Sequence, residues 1–234
     1  LALADTRFDH GGTGLKVGIL VPTLGRADKI GPLASNIADT TPVGSYSLIF
    51  VLDHADRESR EAVKEAEFCR FVLCDGSYPV KTNAGYAASN DEFILPTADD
   101  VWFRDGWLAA VLNEFENPGV HVVGTDDLTP ATADRSHATM PVIRRSYIED
   151  PGCVWRRPGE VFSTELHHNF CETMVWQLAV HRGVTAWAED AVIEHRHHAW
   201  GTREPDATDA KGNGRGWEHD RQIFEAARSE WLRS

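Results

Sequence analysis

Two aspartates, Asp99 and Asp100, stand side by side in "ILPTADDVWF", directly after a short apolar run. Adjacent carboxylates repel unless solvent, a cation or hydrogen-bond donors separate them. One aspartate after a strand is ordinarily a cap for the next turn. Two in succession suit a hard divalent cation with oxygen ligands, the kind of ion that is shared with substrate phosphates. A second chemically capable group lies far down the chain, in "AVIEHRHHAWG". The period of a strand sends His195 and His197 to one face and His198 to the other. Neutral imidazole ligates manganese-like and zinc ions, so His195 and His197 are candidate metal ligands. His167 and His168 are further candidates for a metal or a substrate, although one buried and one exposed histidine is the plainer reading. Trp102, Trp107, Trp155, Trp187 and Trp200 include candidates for a sugar-stacking platform; helix and strand spacing explains most of them as core.

The elements that must position these residues are legible from hydrophobic periodicity. "KVGILVP", "YSLIFVLD", "RFVLCD", "EFILP" and "VHVVGTD" read as five strands. Between them, "ADKIGPLASNIAD", "DRESREAVKEAE", "VKTNAGYAASN" and "RDGWLAAVLNEFEN" read as helices. This alternation predicts an α/β fold with a Rossmann-like, mostly parallel sheet and helices on both faces. Ligands of such sheets sit beyond the carboxyl ends of the strands. The rule gathers Pro22 to Arg26, Asp53, Asp75 and Asp99–Asp100 along one edge. Past residue 125 the pattern loosens: "HATMPVIRR" suits a strand, "TELHHNFCETMVWQLAVHRG" a helix ending at Gly183, and "TAWAEDAVIEHRHHAW" one or two strands. "GTREPDATDAKGNGRG" is rich in helix breakers and predicts a mobile loop, followed by an amphipathic carboxyl-terminal helix.

Composition bounds the function classes. The chain has 234 residues, 42% of them hydrophobic and 25% charged, as globular proteins do, and its length predicts a single domain over 1–234. A net charge of -13 disfavours sequence-independent binding to nucleic acid or to an anionic membrane. The basic doublets Arg144-Arg145 and Arg156-Arg157 read as solvated surface. Cys69, Cys74, Cys153 and Cys171 form no C-x-x-C pair, which predicts reduced thiols and a cytoplasmic location. No apolar run reaches the roughly 18 residues of a membrane helix, and "LALADTRFDH" lacks the order of a signal peptide.

The succession "VPTLGR", "VLDHADRESRE" and "KTNAGYAASNDEFILPTADDVWFRDGW" resembles the nucleotide-binding half of family 2 glycosyltransferases with the GT-A fold, over residues 16–125. "NFCETMVWQLAVHRG" followed by "AEDAVIEHRHHAWG" resembles the acceptor half, here 126–200, with 201–234 left as the loop and final helix. The resemblance implies a nucleotide-diphospho-sugar donor, a UDP-sugar foremost, an Mn2+ or Mg2+ cofactor, and inverting transfer to a hydroxyl of a glycan, protein, small molecule or modified DNA base. It implies donor contacts at Pro22, Thr23, Asp53, Lys81, Asn83, Gly85 and Asp99, with Asp99 also counted among the catalytic residues. It implies Asp100 as metal ligand, the reverse roles of Asp99 and Asp100 being the alternative, because Thr97 and Ala98 replace the first acid of the usual motif. The resemblance also implies that a histidine completes the metal site, His195 ahead of His197. Glu172 stands before Gly183 at the spacing of the family's catalytic Asp, one methylene longer, and would be the general base, with Glu165 as the fallback. Two other readings are a zinc hydrolase built on His167, His168, His195 and His197, and a non-catalytic nucleotide-sugar-binding module.

Overall fold

A computed structural model describes residues 16–206 and 216–234. The amino-terminal stretch and 207–215 of the expected loop lie outside the described residues. Eight strands form one sheet in the order β3-β2-β1-β4-β7-β6-β8-β5. β1 (Val17–Pro22), β2 (Tyr46–Leu52), β3 (Cys69–Leu73) and β4 (Phe93–Pro96) run parallel, joined by α1 (Ala27–Thr40), α2 (Arg57–Glu65) and α3 (Tyr78–Ala87). β1, β2 and β4 are apolar runs buried on both faces, the pattern a covered parallel sheet requires, while the edge strand β3 buries only Phe71 and Val72. α1 presents Ile30, Leu33, Ala34 and Ile37 to the sheet; Pro32 is not in its first turn, the expected place, but inside the helix, where it offers no amide to the Asp28 carbonyl.

The second half is mixed. β5 (Val101–Phe103) and α4 (Trp107–Glu114) precede β6 (Val122–Asp126), β7 (Val142–Arg144), the short α5 (Arg145–Glu149), α6 (Cys171–His181) and β8 (Thr185–His195). β7 is antiparallel to β4 and β6, β8 is parallel to β6, and β5 is antiparallel to β8. The "TAWAEDAVIEH" run is therefore one strand, with a bulge where its partners jump from Thr125↔Ala188 to Asp126↔Val192. Gly124 on β6 leaves room for two indoles: a Cβ there would lie 2.4 Å from Trp187 and 2.9 Å from Trp176.

Two expectations change here. The helix expected from Thr164 begins only at Cys171, because Phe170 takes a left-handed φ of 62°. The amides of His167, His168 and Asn169 are bound instead by Asp220, at 2.9, 3.0 and 2.8 Å, on the final helix α7 (Trp217–Trp231). The doublet Arg144-Arg145 is a clasp rather than solvated surface. Arg144 lies over Phe93 and Phe115 and donates to the Phe115 carbonyl at 2.9 Å. Arg145 donates to the carbonyls of Asp91 and Ser89, at 2.6 and 3.0 Å. No helix among the described residues is long and apolar enough to cross a membrane, and all four cysteines are free.

Candidate functional site

A pocket of about 710 Å³ opens beyond the carboxyl ends of β1 and β4, large enough for a nucleotide-sized ligand. Pro22, Thr23, Lys81, Asp99, Asp100, Glu172, His195 and His197 all line it. Asp99 and Asp100 sit on the turn between β4 and β5, and both are buried, at 6% and 7% exposure. Arg26, immediately before α1, donates Nη1 to Asp99 Oδ1 at 2.7 Å. Arg203 donates Nη2 to Asp100 Oδ2 at 3.0 Å, and Asp206 receives Arg26 from the other side at 3.0 Å. His195 Nε2 lies 3.5 Å from Asp100 Oδ1. Three cationic or imidazole groups thus answer the paired carboxylates.

Electrostatics separates the two acids. Burial pushes the Asp99 carboxyl up to about 6, with Arg26 pulling it down and Asp100 pushing it further up. Burial acts on Asp100 too, but the hydrogen bonds and charges of His195, Arg203 and Arg26 outweigh it and bring that carboxyl down to about 2. Asp100 is the firmly ionised member of the pair. It is brought to His195 by the β5–β8 pairing, in which Val101 stands opposite His195. An anionic oxygen and an imidazole nitrogen at this separation approach the ~3 Å spacing of neighbouring ligands on an octahedral ion with bonds of ~2.1 Å. The residues present fit a divalent cation.

The strand ends at His195, so alternation does not extend to His197 and His198, which enter a 3₁₀ turn (His198–Trp200). His197 still lines the pocket, with its ring 5.2 Å from His195, but its Nδ1 accepts the Ala199 amide at 3.2 Å. Lys81, on α3, is buried: its ammonium pairs with Asp53 Oδ1 at 2.8 Å and donates to the Thr23 carbonyl at 3.2 Å. Asp53 touches the pocket only through that lysine, not as a wall residue.

Asn83 and Gly85, expected to face a donor, are turned to the protein. Asn83 donates to the Phe162 carbonyl at 2.8 Å and accepts the Val161 amide at 2.9 Å. Gly85 lets α3 approach the sheet, since a Cβ there would lie 3.0 Å from Val51 and 3.4 Å from Leu20.

Glu172, in the first turn of α6, accepts a hydrogen bond from the Tyr78 hydroxyl at 2.8 Å. Burial raises its pKa, opposed by its own backbone amide, Tyr78 and His195. Tyr78 is in turn held between Phe162 and the edge of His168, with ring centroids 5.5 and 5.4 Å away. Glu165, the fallback base, lies elsewhere: it pairs with Arg157 at 2.6 Å beside a separate groove.

The four-histidine zinc arrangement is not assembled. Among the described residues, the one group of three metal-capable side chains with ligand atoms within 4.8 Å is His167, His219 and Asp220. Of the five candidate tryptophans only Trp200 is well exposed; Trp107 is buried and hydrogen-bonded to Thr41, the half-buried Trp155 donates to Glu230, Trp187 packs on Trp176, and Arg196 covers Trp102.

No protein-family profile and no curated protein sequence matches the chain. Solved structures do. A mannosyltransferase, PcManGT of Pyrobaculum calidifontis, in complex with GDP-Man and Mn2+, superposes with a TM-score of 0.61 at 17% identity, over 80% of this chain and 60% of that one. S. aureus TarS 1–349 in complex with UDP-GlcNAc gives 0.61 at 13% identity, over 76% of this chain and 57% of the other. A mycobacterial protein gives 0.56 at 14% identity, over 84% and 70%. The likeness is one of fold: the chain has the GT-A fold, as its succession of motifs implied.

The buried Lys81–Asp53 pair generates an asymmetric prediction. Asp53→Ala leaves an ammonium buried with only a carbonyl for a partner and should cost about 3 kcal/mol of stability. Lys81→Met leaves a partly exposed carboxylate that water can reach, and should cost clearly less. Urea unfolding of both variants at neutral pH checks this; equal losses, or a larger one for Lys81→Met, contradict it.

Proposed function

We propose that the chain is a metal-dependent glycosyltransferase that moves a sugar from a nucleotide-diphosphate donor, of the UDP class, to an acceptor hydroxyl with inversion. In this reading one domain carries a donor half over 16–125 and an acceptor half over 126–200. The observation that carries it is the convergence of Glu172 and the Asp100–His195 pair on one pocket at the strand ends. The complexes of the two fold relatives with GDP-Man and Mn2+, and with UDP-GlcNAc, support it.

The residues divide the work by charge. Arg26 and Arg203 are planar donors that can turn from Asp99, Asp206 and Asp100 to phosphate oxygens, bringing positive charge into a chain of net charge -13. Asp100 and His195 would hold the divalent cation, Mn2+ or Mg2+, which when bound neutralises charge developing on the departing diphosphate. Asp99 faces the pocket beside them, where a donor hydroxyl can be its partner. Glu172 takes the proton of the acceptor hydroxyl. The hydroxyl oxygen then bonds to the anomeric carbon on the face opposite the diphosphate, and the bond from that carbon to the phosphate oxygen breaks. Tyr78 occupies Oε1 of Glu172, leaving Oε2 to receive the proton.

Incubation with UDP-, GDP- and TDP-sugars and Mn2+, followed by release of nucleoside diphosphate, tests the reading. Glu172→Gln should keep donor affinity and lose turnover about 10²- to 10⁴-fold, the usual contribution of a general base. Undiminished turnover in that variant removes Glu172 from the mechanism. Absence of turnover with every donor, despite tight donor binding, would favour a binding module.

Tyr78→Phe should shift the pH profile. Losing a donor to the carboxylate raises the Glu172 pKa further, so the acidic limb of kcat/KM moves to higher pH while the plateau at alkaline pH changes less. An unchanged limb contradicts the role of Tyr78.

A further inference from the structure

Asp220 lies in the first turn of α7 and is fully buried. Its Oδ2 accepts the amides of His168 and Asn169, and its Oδ1 the amide of His167 at 2.9 Å, so the carboxylate is fixed in position. Two imidazole nitrogens converge on that same Oδ1: His219 Nδ1 at 3.1 Å and His167 Nδ1 at 3.4 Å. The two rings are 4.5 Å apart between centroids.

Protons satisfy one of the two rings only: with hydrogen on His219 Nδ1, Oδ1 has that donor and the His167 amide for its two lone pairs, and the His167 Nδ1 lone pair is left facing it at 3.4 Å. If both Nδ1 atoms carry hydrogen, Oδ1 faces three donors with two in-plane lone pairs. If neither does, two nitrogen lone pairs and an anionic oxygen point at one another with nothing between them. A single divalent cation resolves the conflict. Zinc bonds of ~2.0–2.1 Å in a tetrahedron place neighbouring ligand atoms ~3.3–3.4 Å apart, and the observed 3.1 and 3.4 Å fall close to that edge. Two imidazoles and one carboxylate suit zinc better than magnesium. The amides on Asp220 act as the outer hydrogen bonds that orient a ligand. Gly216 adds a separate constraint: at a φ of 77°, a Cβ there would lie 2.6 Å from His167 Nδ1, filling the space beside the ligand atom.

We propose that His167, His219 and Asp220 form a zinc-class divalent-cation site that staples residues 167–170 to α7 at the mouth of the pocket. The site is independent of the glycosyltransferase reading and of the Asp100–His195 pair. Its consequence is local: the stapled segment leads straight into α6, and His167, His168 and Gly216 form part of the pocket wall.

The test is a zinc titration of the 234-residue chain, first stripped with chelator, read by competition with a chromophoric chelator and by thermal melting. The expected result is one tight zinc in the wild type and in Asp100→Asn, with a raised Tm. His219→Ala and His219→Gln should each weaken binding by at least about tenfold and abolish the Tm rise, while melting like the wild type in chelator, since His219 is half exposed. Failure of the wild type to take up zinc, or unchanged affinity in both His219 variants, overturns the proposal. Loss of the tight site in Asp100→Asn alone would place the zinc at the other pair and overturns it equally.

Discussion

Burying two adjacent carboxylates is the constraint on which the rest of this structure turns. Asp99 and Asp100 are tolerated in the interior only because groups from two distant parts of the chain answer them: Arg26 before α1, and His195 at the end of β8 with Arg203 just beyond it. An uncompensated charge at that depth would cost several kcal/mol. The sheet order follows suit. β5 and β8 form the far edge, and their pairing is what carries a histidine from the carboxyl-terminal third to an aspartate at the centre of the fold.

α3 is the second organising element, because within ten residues it serves four different neighbours. Tyr78 reaches Glu172 on α6, Lys81 reaches Asp53 and Thr23 at the ends of β2 and β1, Asn83 grips the 161–162 backbone, and Gly85 closes on the sheet. The helix thereby fixes the proposed base relative to the donor end of the pocket. Its weak amphipathicity is a consequence: polar side chains on its buried faces are bonded, so they do not mark an exposed side.

The strands β1 to β4 and β6, and the helices between them, were legible in sequence because each is a periodic apolar run bounded by breakers. So was the α/β class, and so was the position of Asp99–Asp100 and Thr23 just past the carboxyl ends of β4 and β1. What was not legible depends on distant partners. β5 is three residues long and exists only by pairing with β8. Arg26 and Arg203 carry no local signal, since their carboxylate partners are 73 and 103 positions away. The start of α6 moved because Asp220 takes the amides that a longer helix would have used. Asn83 and Gly85 matched a motif by type and spacing, yet a spacing does not state which way a helix face turns.

The central claim is that the Asp99–Asp100 turn, with His195, holds a divalent cation through which a nucleoside diphosphate is bound. Calorimetric titration of UDP into the full chain, with Mn2+ and again with excess chelator, tests it most directly. The account predicts saturable binding with Mn2+ and its loss in chelator, because diphosphate and paired carboxylates repel without a cation between them. Equal affinity under both conditions would contradict it and would assign the diphosphate to Arg26 and Arg203 alone.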